Sequence, residues 1–390
     1  MSLVLVLSLA LAQTSPGATT EPAAPPAASG ETTPMETPKA VAVVVPVAVA
    51  ETPWWQRVTL NGFARLGIFY TFPFQDQQLV GSNGGFRVAD FRLGLDFHPV
   101  EKLTIYTSIE LAAPLVDPND PTNGRRIVDV RDAYVHYAAT KWLQFRIGQF
   151  RPPYYAEMLQ SDGAVSFVSR SILAGGLNPP EGFGPRSPLA PDRQVGAQIS
   201  SERLGTEAIG FKYAIAVTNG NGLNHLFNDN NGVAPYGRIE LDVFQKVTLG
   251  VNGYYNARTD GTRPNQLTTN QIGYGVDLSA GFMGFSALAA FLGKSSTYSY
   301  AGLPNDSSMG VLGQVRYLHE GTGLEAAARF AFYEPSNAQT DDQVIEVVAM
   351  VGWRPFKLPF RVVVQYTHRG EEAAASYGND SVDAMLHAVW

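Results

Sequence analysis

The spacing of apolar residues constrains this chain more than any other feature. Sixteen stretches alternate apolar with polar side chains, and the connections between them are alternately long and short. In 207–219, Ile209, Phe211, Tyr213, Ile215 and Val217 fall on one face, with Lys212 and Thr218 on the other. In 246–257, Val247, Leu249, Val251 and Tyr255 oppose Thr248, Asn252 and Asn256, and in 381–390, Val382, Ala384, Leu386 and Trp390 oppose Asp383 and His387. A period of two belongs to strands with one face in an apolar medium and one in a polar medium. The predicted strands are 58–70, 86–97, 101–112, 128–138, 142–150, 193–200, 207–219, 234–243, 246–257, 271–281, 282–293, 308–319, 323–333, 343–354, 359–368 and 381–390. No helix start-and-stop pattern interrupts them.

A soluble sandwich also alternates, so the connections decide. The long ones are 71–85, 113–127, 151–192, 220–233, 258–270, 294–307, 334–342 and 370–380. The short ones are 98–100, the stretch near 139–140, 201–206, 244–245, the join near Gly281, 320–322 and 355–358. Strict alternation puts every long loop on one rim and every short turn, with both termini, on the other. That is the layout of an outer-membrane barrel, with short periplasmic turns and longer external loops. Closure follows because a lipid-exposed sheet edge leaves backbone groups unpaired. The predicted fold is therefore all-β: a transmembrane antiparallel β-barrel of about sixteen strands, with the third long loop folded into the lumen.

That third loop follows the strand WLQFRIGQF at 142–150, which Pro152 and Pro153 stop because neither donates to a ladder. Some forty structureless residues inside a compact domain need a job. Here the expected job is to set the bore.

Composition agrees. Charged residues are 16% of 390, below the roughly 25% of soluble domains, and no run of 18 apolar residues is present to span as a helix. A net charge of −7 provides no basic footprint for nucleic acid, and zero cysteines remove disulfides, thiolate metal sites and thiol nucleophiles. Residues 1–12 read as a signal peptide, with Ala10 and Ala12 ahead of the cleavage point, although the usual positive n-region is missing. Residues 13–53, rich in Pro, Ala and Thr, read as a disordered periplasmic linker, leaving 54–390 as the barrel.

Charge parity tests the barrel, because Lys or Arg facing lipid at the midplane costs about 2–4 kcal/mol. Arg65, Arg92, Arg146, Lys212, Arg238, Arg316, Arg329 and Arg361 all fall on the inward parity, as do Asp96, Glu110, Glu240, Asp242, Asp277, Glu325, Glu346 and Asp383. Arg131 falls on the outward parity, so either it snorkels near a strand end or a bulge shifts the register. Strand 282–293 is apolar on both faces, which implies a loop covering its inner face or another subunit covering its outer one.

Several segments resemble a known family: FRLGLDF (91–97), VDVRDAYVHY (128–137), FRIGQFRPPYYAE (145–157), SDGAVSFVSRS (161–171), DRQVGAQIS (192–200) and YAIAVTNGNG (213–222). Over about 86–222 the chain resembles the phosphate-selective porin O/P family. The resemblance implies a sixteen-stranded homotrimeric porin of the Gram-negative outer membrane, with an inward third loop and a ladder of Arg and Lys leading to an Arg-rich constriction. The ladder is not evident here. Between 151 and 193, Arg151, Arg170, Arg186 and Arg193 are matched by Glu157, Asp162, Glu181 and Asp192, and the chain has only seven lysines. The terminal Trp390 also resembles the C-terminal signal of outer-membrane barrels and fits an interfacial aromatic girdle.

The expected function is passive diffusion of small anionic solutes such as phosphate, selected by bore and by fixed charge at the narrowest point. Arg offers anions a planar fork of donors that pH does not switch off. The constriction candidates are Arg146, Arg151, Arg170 and Arg193, helped by Arg65 and Arg92. The alternative is that these arginines pair with carboxylates and hold the loop. Glu157 and Asp162 are read as loop anchors. Rival functions are a general or sugar porin (Tyr106, Tyr134 and Phe150 point inward), a barrel-rim hydrolase, and a closed structural or adhesion barrel. No catalytic motif, cofactor or metal-ligand spacing stands out among the six scattered histidines. Loop 113–127, with Asp117, Asn119 and Asp120, reads as a solvated loop before a calcium loop. The pairs Asn83-Gly84, Asn123-Gly124 and Asn231-Gly232 read as turns.

Overall fold

The structure, a computed structural model, describes residues 53–72, 84–117, 120–177, 187–225, 227–260, 266–299, 304–355, 358–371 and 380–390. The signal segment 1–12, the linker up to residue 52, and Asn83, Asn119, Glu181 and Arg186 lie outside these residues.

The period-two stretches all become strands, and each pairs on both sides. The first half holds β1 (Val58–Thr71), β2 (Gly85–Val100), β3 (Leu103–Asp117), β4 (Asp120–Thr140), β5 (Leu143–Phe150), β6 (Gln194–Ser200), β7 (Leu204–Gly205), β8 (Ile209–Thr218) and β9 (Ala234–Val243). The second holds β10 (Val247–Asp260), β11 (Leu267–Phe282), β12 (Phe285–Tyr298), β13 (Asp306–Leu318), β14 (Leu324–Glu334), β15 (Val344–Trp353), β16 (Phe360–Glu371) and β17 (Ser381–Val389). The two-residue β7 pairs only with the base of β8, while β6 continues the wall to β8. The remaining sixteen strands form one antiparallel wall, closed by β1 against β17 from Phe63↔Val389 to Thr71↔Ser381.

Exposure along the wall inverts the rule for soluble proteins. On β15, Ile345, Val347 and Val351 are exposed while Glu346 is fully buried, and on β16, Val362 and Val364 are exposed while Arg361, Gln365 and Arg369 are buried. A continuous apolar outer band suits lipid and a polar interior suits a water-filled lumen. Exposed Trp142, Phe244, Phe282, Phe285, Tyr317, Trp353 and Trp390 gather at the short-turn rim, where amphipathic rings suit an interface.

The predicted loop and strand ends change, and two alternatives left open by the sequence are decided. The predicted loop 113–127 is largely strand: β3 and β4 continue as a ribbon until Asp117 meets Asp120, and Asn123-Gly124 lies within β4 rather than in a turn. The strands β10–β13 likewise run past their predicted ends toward the long-loop rim. Beyond lipid a ladder needs no apolar alternation, so periodicity lost these extensions. Arg131 points inward, because Ser108 pairs with Asp132 while Ile109 pairs with Val130, and the bulge between them carries Arg131 to the lumen side. The inner face of β12, Leu288, Ala290 and Leu292, is covered by the inward loop, which resolves the two-faced apolar strand.

The described parts of the inward loop, 151–177 and 187–193, enter the lumen and include three short helical turns, Ala156–Leu159, Asp162–Ala164 and Ile172–Gly175. Its Tyr154, Met158, Leu173, Leu177 and Leu189 pack on Leu288, Leu292, Leu312, Tyr333 and Val344, and Phe167 and Val168 pack on Phe69, Val348, Met350 and Val363. Burying such side chains contributes about 1.5–3 kcal/mol each. Wall donors and acceptors then clasp its backbone. Arg329 donates to the Ser169 carbonyl (2.9 Å), Arg361 to those of Val165 (3.2 Å) and Ser166, Tyr333 to that of Ser187 (2.6 Å), and Gln365 accepts from the Val168 N–H (2.8 Å).

Candidate functional site

The loop leaves the lumen open on the side of β1–β9, and there the arginines meet. Asp162, at the start of the second helical turn, is their hub. Arg151 reaches its carboxylate at 2.6 Å, Arg170 at 2.5 Å and Arg193 at 3.6 Å, and Arg92 forms a direct ion pair with it from β2. Burial pushes the Asp162 carboxyl up, but Arg151, Arg170, Arg92 and Arg193 pull it down further, so it sits well below the usual carboxylate range. Arg193 also grips Asp132 through Nε (2.9 Å) and Nη2 (3.0 Å), and Arg92 reaches Glu110 at 3.2 Å. Such bidentate pairs hold geometry as well as charge.

The six candidate arginines divide. Arg65 is taken by Asp90 (2.6 Å) and the Val168 carbonyl (3.1 Å). Arg170 binds the loop's own carbonyls at Glu157 and Gln160 as well as Asp162, which makes it a staple within the loop. Arg92, Arg146, Arg151 and Arg193 line a cavity of about 540 Å³ together with Tyr106, Tyr134 and Asp132. Arg146 makes no ion pair among the described residues. Its guanidinium lies over the Tyr134 ring at 4.6 Å and near Phe150 at 5.7 Å, and its Nε has no hydrogen-bond partner. With Arg151 it also borders a second cavity of about 170 Å³, where Lys212 and Arg238 face Glu240.

Both expected anchors sit where an anchor must. Glu157 is buried and accepts from the Tyr155 hydroxyl (2.9 Å) and from the N–H (2.8 Å) and hydroxyl (2.5 Å) of Ser171, tying the loop's two limbs together. Tyr155 holds a positive φ of 48°, a cost of about 1–3 kcal/mol that its full burial offsets. Asp162 ties the loop to the wall through Arg92. The sequence reading missed Asp132 and Arg131 as members of the site, because both depend on the β4 bulge. The strict parity break at Arg131 was the signal for it.

The local backbone of β5 is set by Gly148, with φ 129°; a Cβ there would lie 2.2 Å from the Ala133 carbonyl oxygen. The glycine of the R-x-G-Q-F motif thus lets β5 sit close to β4.

A closed sixteen-strand wall, greasy outside and charged inside, with its third long loop entering the lumen, is the architecture seen in outer-membrane porins. Within that class, the family model of phosphate-selective porin O and P matches residues 63–226, the stretch from β1 through the inward loop to the connection after β8. No curated protein matches the chain in sequence. Solved structures do match in fold. The outer-membrane channel DcaP of Acinetobacter baumannii is 16% identical with TM-score 0.57, over 85% of this chain and 97% of that one. An anion-selective porin from Comamonas acidovorans is 12% identical with TM-score 0.56, over 85% and 99%. Salmonella typhi OmpF in complex with daunomycin is 14% identical with TM-score 0.56, over 85% and 97%. The chain thus carries a segment matching this family and shares the fold of outer-membrane porins.

Proposed function

We propose that the channel passes small solutes down their gradients with a preference for small anions such as phosphate, set at the arginines of the open side. The observation that carries this reading is Arg146. It is a guanidinium with no carboxylate partner among the described residues, on a cavity lined by four arginines and one aspartate. In a low-dielectric bore with little water, one uncompensated charge counts for more than it would in bulk. Arg92, Arg151 and Arg193 act with it, although their charge is largely offset by Asp162, Asp132, Glu110 and Asp192. This near balance favours a modest preference over strong capture. It also supports the second reading, a general porin for small polar solutes or sugars, which Tyr106 and Tyr134 would serve with rings 5.3 Å apart.

We further propose that residues 1–12 are a signal peptide, that 13–53 are a periplasmic linker tethering a barrel whose termini both lie on the periplasmic rim, and that the channel works as a homotrimer, as the family resemblance implies.

The test is the reversal potential in a planar bilayer under a potassium chloride gradient, with phosphate then titrated in. Anion preference with phosphate block supports the reading. Arg146→Ala should lower the chloride-to-potassium permeability ratio several-fold while leaving heat resistance of the barrel unchanged, since only about 0.5–1 kcal/mol of ring contact is lost. A reversal potential near zero without block would favour the general porin.

A further inference from the structure

Asp192 stands apart from the other carboxylates of the constriction. Its oxygens lie 3.4 Å from Arg193, 3.5 Å from Arg151 and 4.0 Å from Arg131. Charge-assisted hydrogen bonds close to about 2.7–2.9 Å, and Asp162 and Asp132 do so with their own arginines at 2.6 Å and 2.9 Å. The Asp192 side chain is 41% exposed, against 11% for Asp162 and 15% for Asp132.

The arginines around it are under-used. Among the described residues Arg131 comes no closer than 3.9 Å to a carboxylate, its Nε facing Asp129, and the Nε groups of Arg131 and Arg151 are buried without a hydrogen-bond partner, that of Arg151 standing 3.5 Å from Asp192. Leaving such donors unpaired is costly, more so for charged groups. The three guanidiniums therefore enclose more room and more donors than one carboxylate fills. The location matters too. Asp192 faces a cavity of about 400 Å³ that also holds Arg258 and Lys294, whereas its neighbour Arg193 and its partner Arg151 face the 540 Å³ cavity.

We propose that Asp192 is a tethered counterion for an oxyanion site formed by Arg131, Arg151 and Arg193, and that a passing anion displaces it. The inference rests on the anion-channel reading and deepens it. An incoming oxyanion takes the idle Nε donors, and Asp192 swings toward the water it already touches. The tether keeps the arginines from trapping the solute, so affinity is exchanged for throughput. A divalent oxyanion feels the loss or gain of the tethered charge twice as strongly as chloride does.

The experiment uses the full barrel in planar bilayers and reads the inorganic phosphate concentration that halves the chloride current. Asp192→Asn should lower that concentration by about tenfold, the order expected for removing one nearby charge at intermediate dielectric. Asp192→Glu, with the same charge on a longer arm, should raise it. Glu207→Gln, an equal change in net charge at an exposed site on the short-turn rim, should leave it unchanged. Unaltered block in Asp192→Asn, in a channel that still prefers anions, would overturn the tether and leave the channel reading intact. Asp192→Glu behaving like Asp192→Asn would overturn it too, since packing rather than charge would then be responsible. If neither the native channel nor Asp192→Asn prefers chloride or responds to phosphate, both readings fail. Should Asp192→Asn not fold, the longer-arm variant decides alone: an unchanged half-block concentration refutes the tether.

Discussion

The two sides of the lumen are built from the same alternating strands and end up with opposite interiors. Along β12–β17 the inward loop packs against much of the wall, with a cavity of about 300 Å³ left beside Leu288 and Arg316. Leu173, Leu177 and Leu189 sit on Leu288, Leu292 and Leu312, and the wall charges are locked in networks such as Arg329–Glu346 (2.9 Å) with Glu346–Arg369 (3.2 Å), and Arg316–Glu325 (2.9 Å) with Arg361. Along β1–β9 the wall faces water-sized space, and arginines border it. An inward arginine is thus not in itself a pore residue. Arg329 and Arg361 are structural because carboxylates and loop carbonyls surround them, whereas Arg146 is available because its neighbours are rings.

If that contrast is real, the two sides respond to different insults. The largest loss of stability is expected from Glu346→Ala, which strands Arg329 and Arg369 without their shared carboxylate. Breaking a buried pair costs about 3–5 kcal/mol. Urea unfolding in detergent should show that loss while the chloride-to-potassium ratio stays put, and a changed ratio would mean the packed side conducts. Next comes Leu173→Ala, where emptying a fully buried leucine site should cost about 2–5 kcal/mol. Here the loop itself loosens, so single-channel current should become noisier, and a quiet trace would argue that the clasps alone hold the loop.

The smallest effect concerns pH. The folded-state pKa of Asp162 is held below its unfolded value by four arginines, despite burial. Its stabilising contribution is therefore complete above the ordinary carboxylate pKa and fades only as pH falls through the depressed one. Selectivity and urea midpoint should not move, on account of Asp162, between pH 8 and about pH 5. A drop in that interval would mean that the hub titrates as an ordinary carboxylate and that the arginines do not converge on it.

Much of the wall was legible because lipid imposes a two-residue rhythm wherever it touches the chain. All sixteen periodic stretches reappear as strands, and the inward parity of Arg92, Arg146, Glu325 and Glu346 holds. Legibility stops where lipid stops. The ribbon of β3 and β4 past Ala113 has no such rhythm, and it reads as a loop although its ladder continues to Asp117. The bulge at Arg131 defeats simple counting for a different reason. One extra residue moves Arg131 and Asp132 to the same side, and nothing in a linear pattern says where a ladder will skip. The hub at Asp162 was half visible: an acidic loop residue among arginines suggests an anchor, but only the fold brings Arg92, 70 positions away, into contact with it.

The clasps on the inward loop also carry a message about time. Its carbonyls and amides are held by partners 146 to 197 positions further along the chain, on β14 and β16. Contacts so distant form late, because the intervening chain must first be brought together. The narrowing of the bore is then among the last events of assembly. Until the final strands arrive the third loop has no seat, and the half-built wall is a wide ring before it becomes a filter.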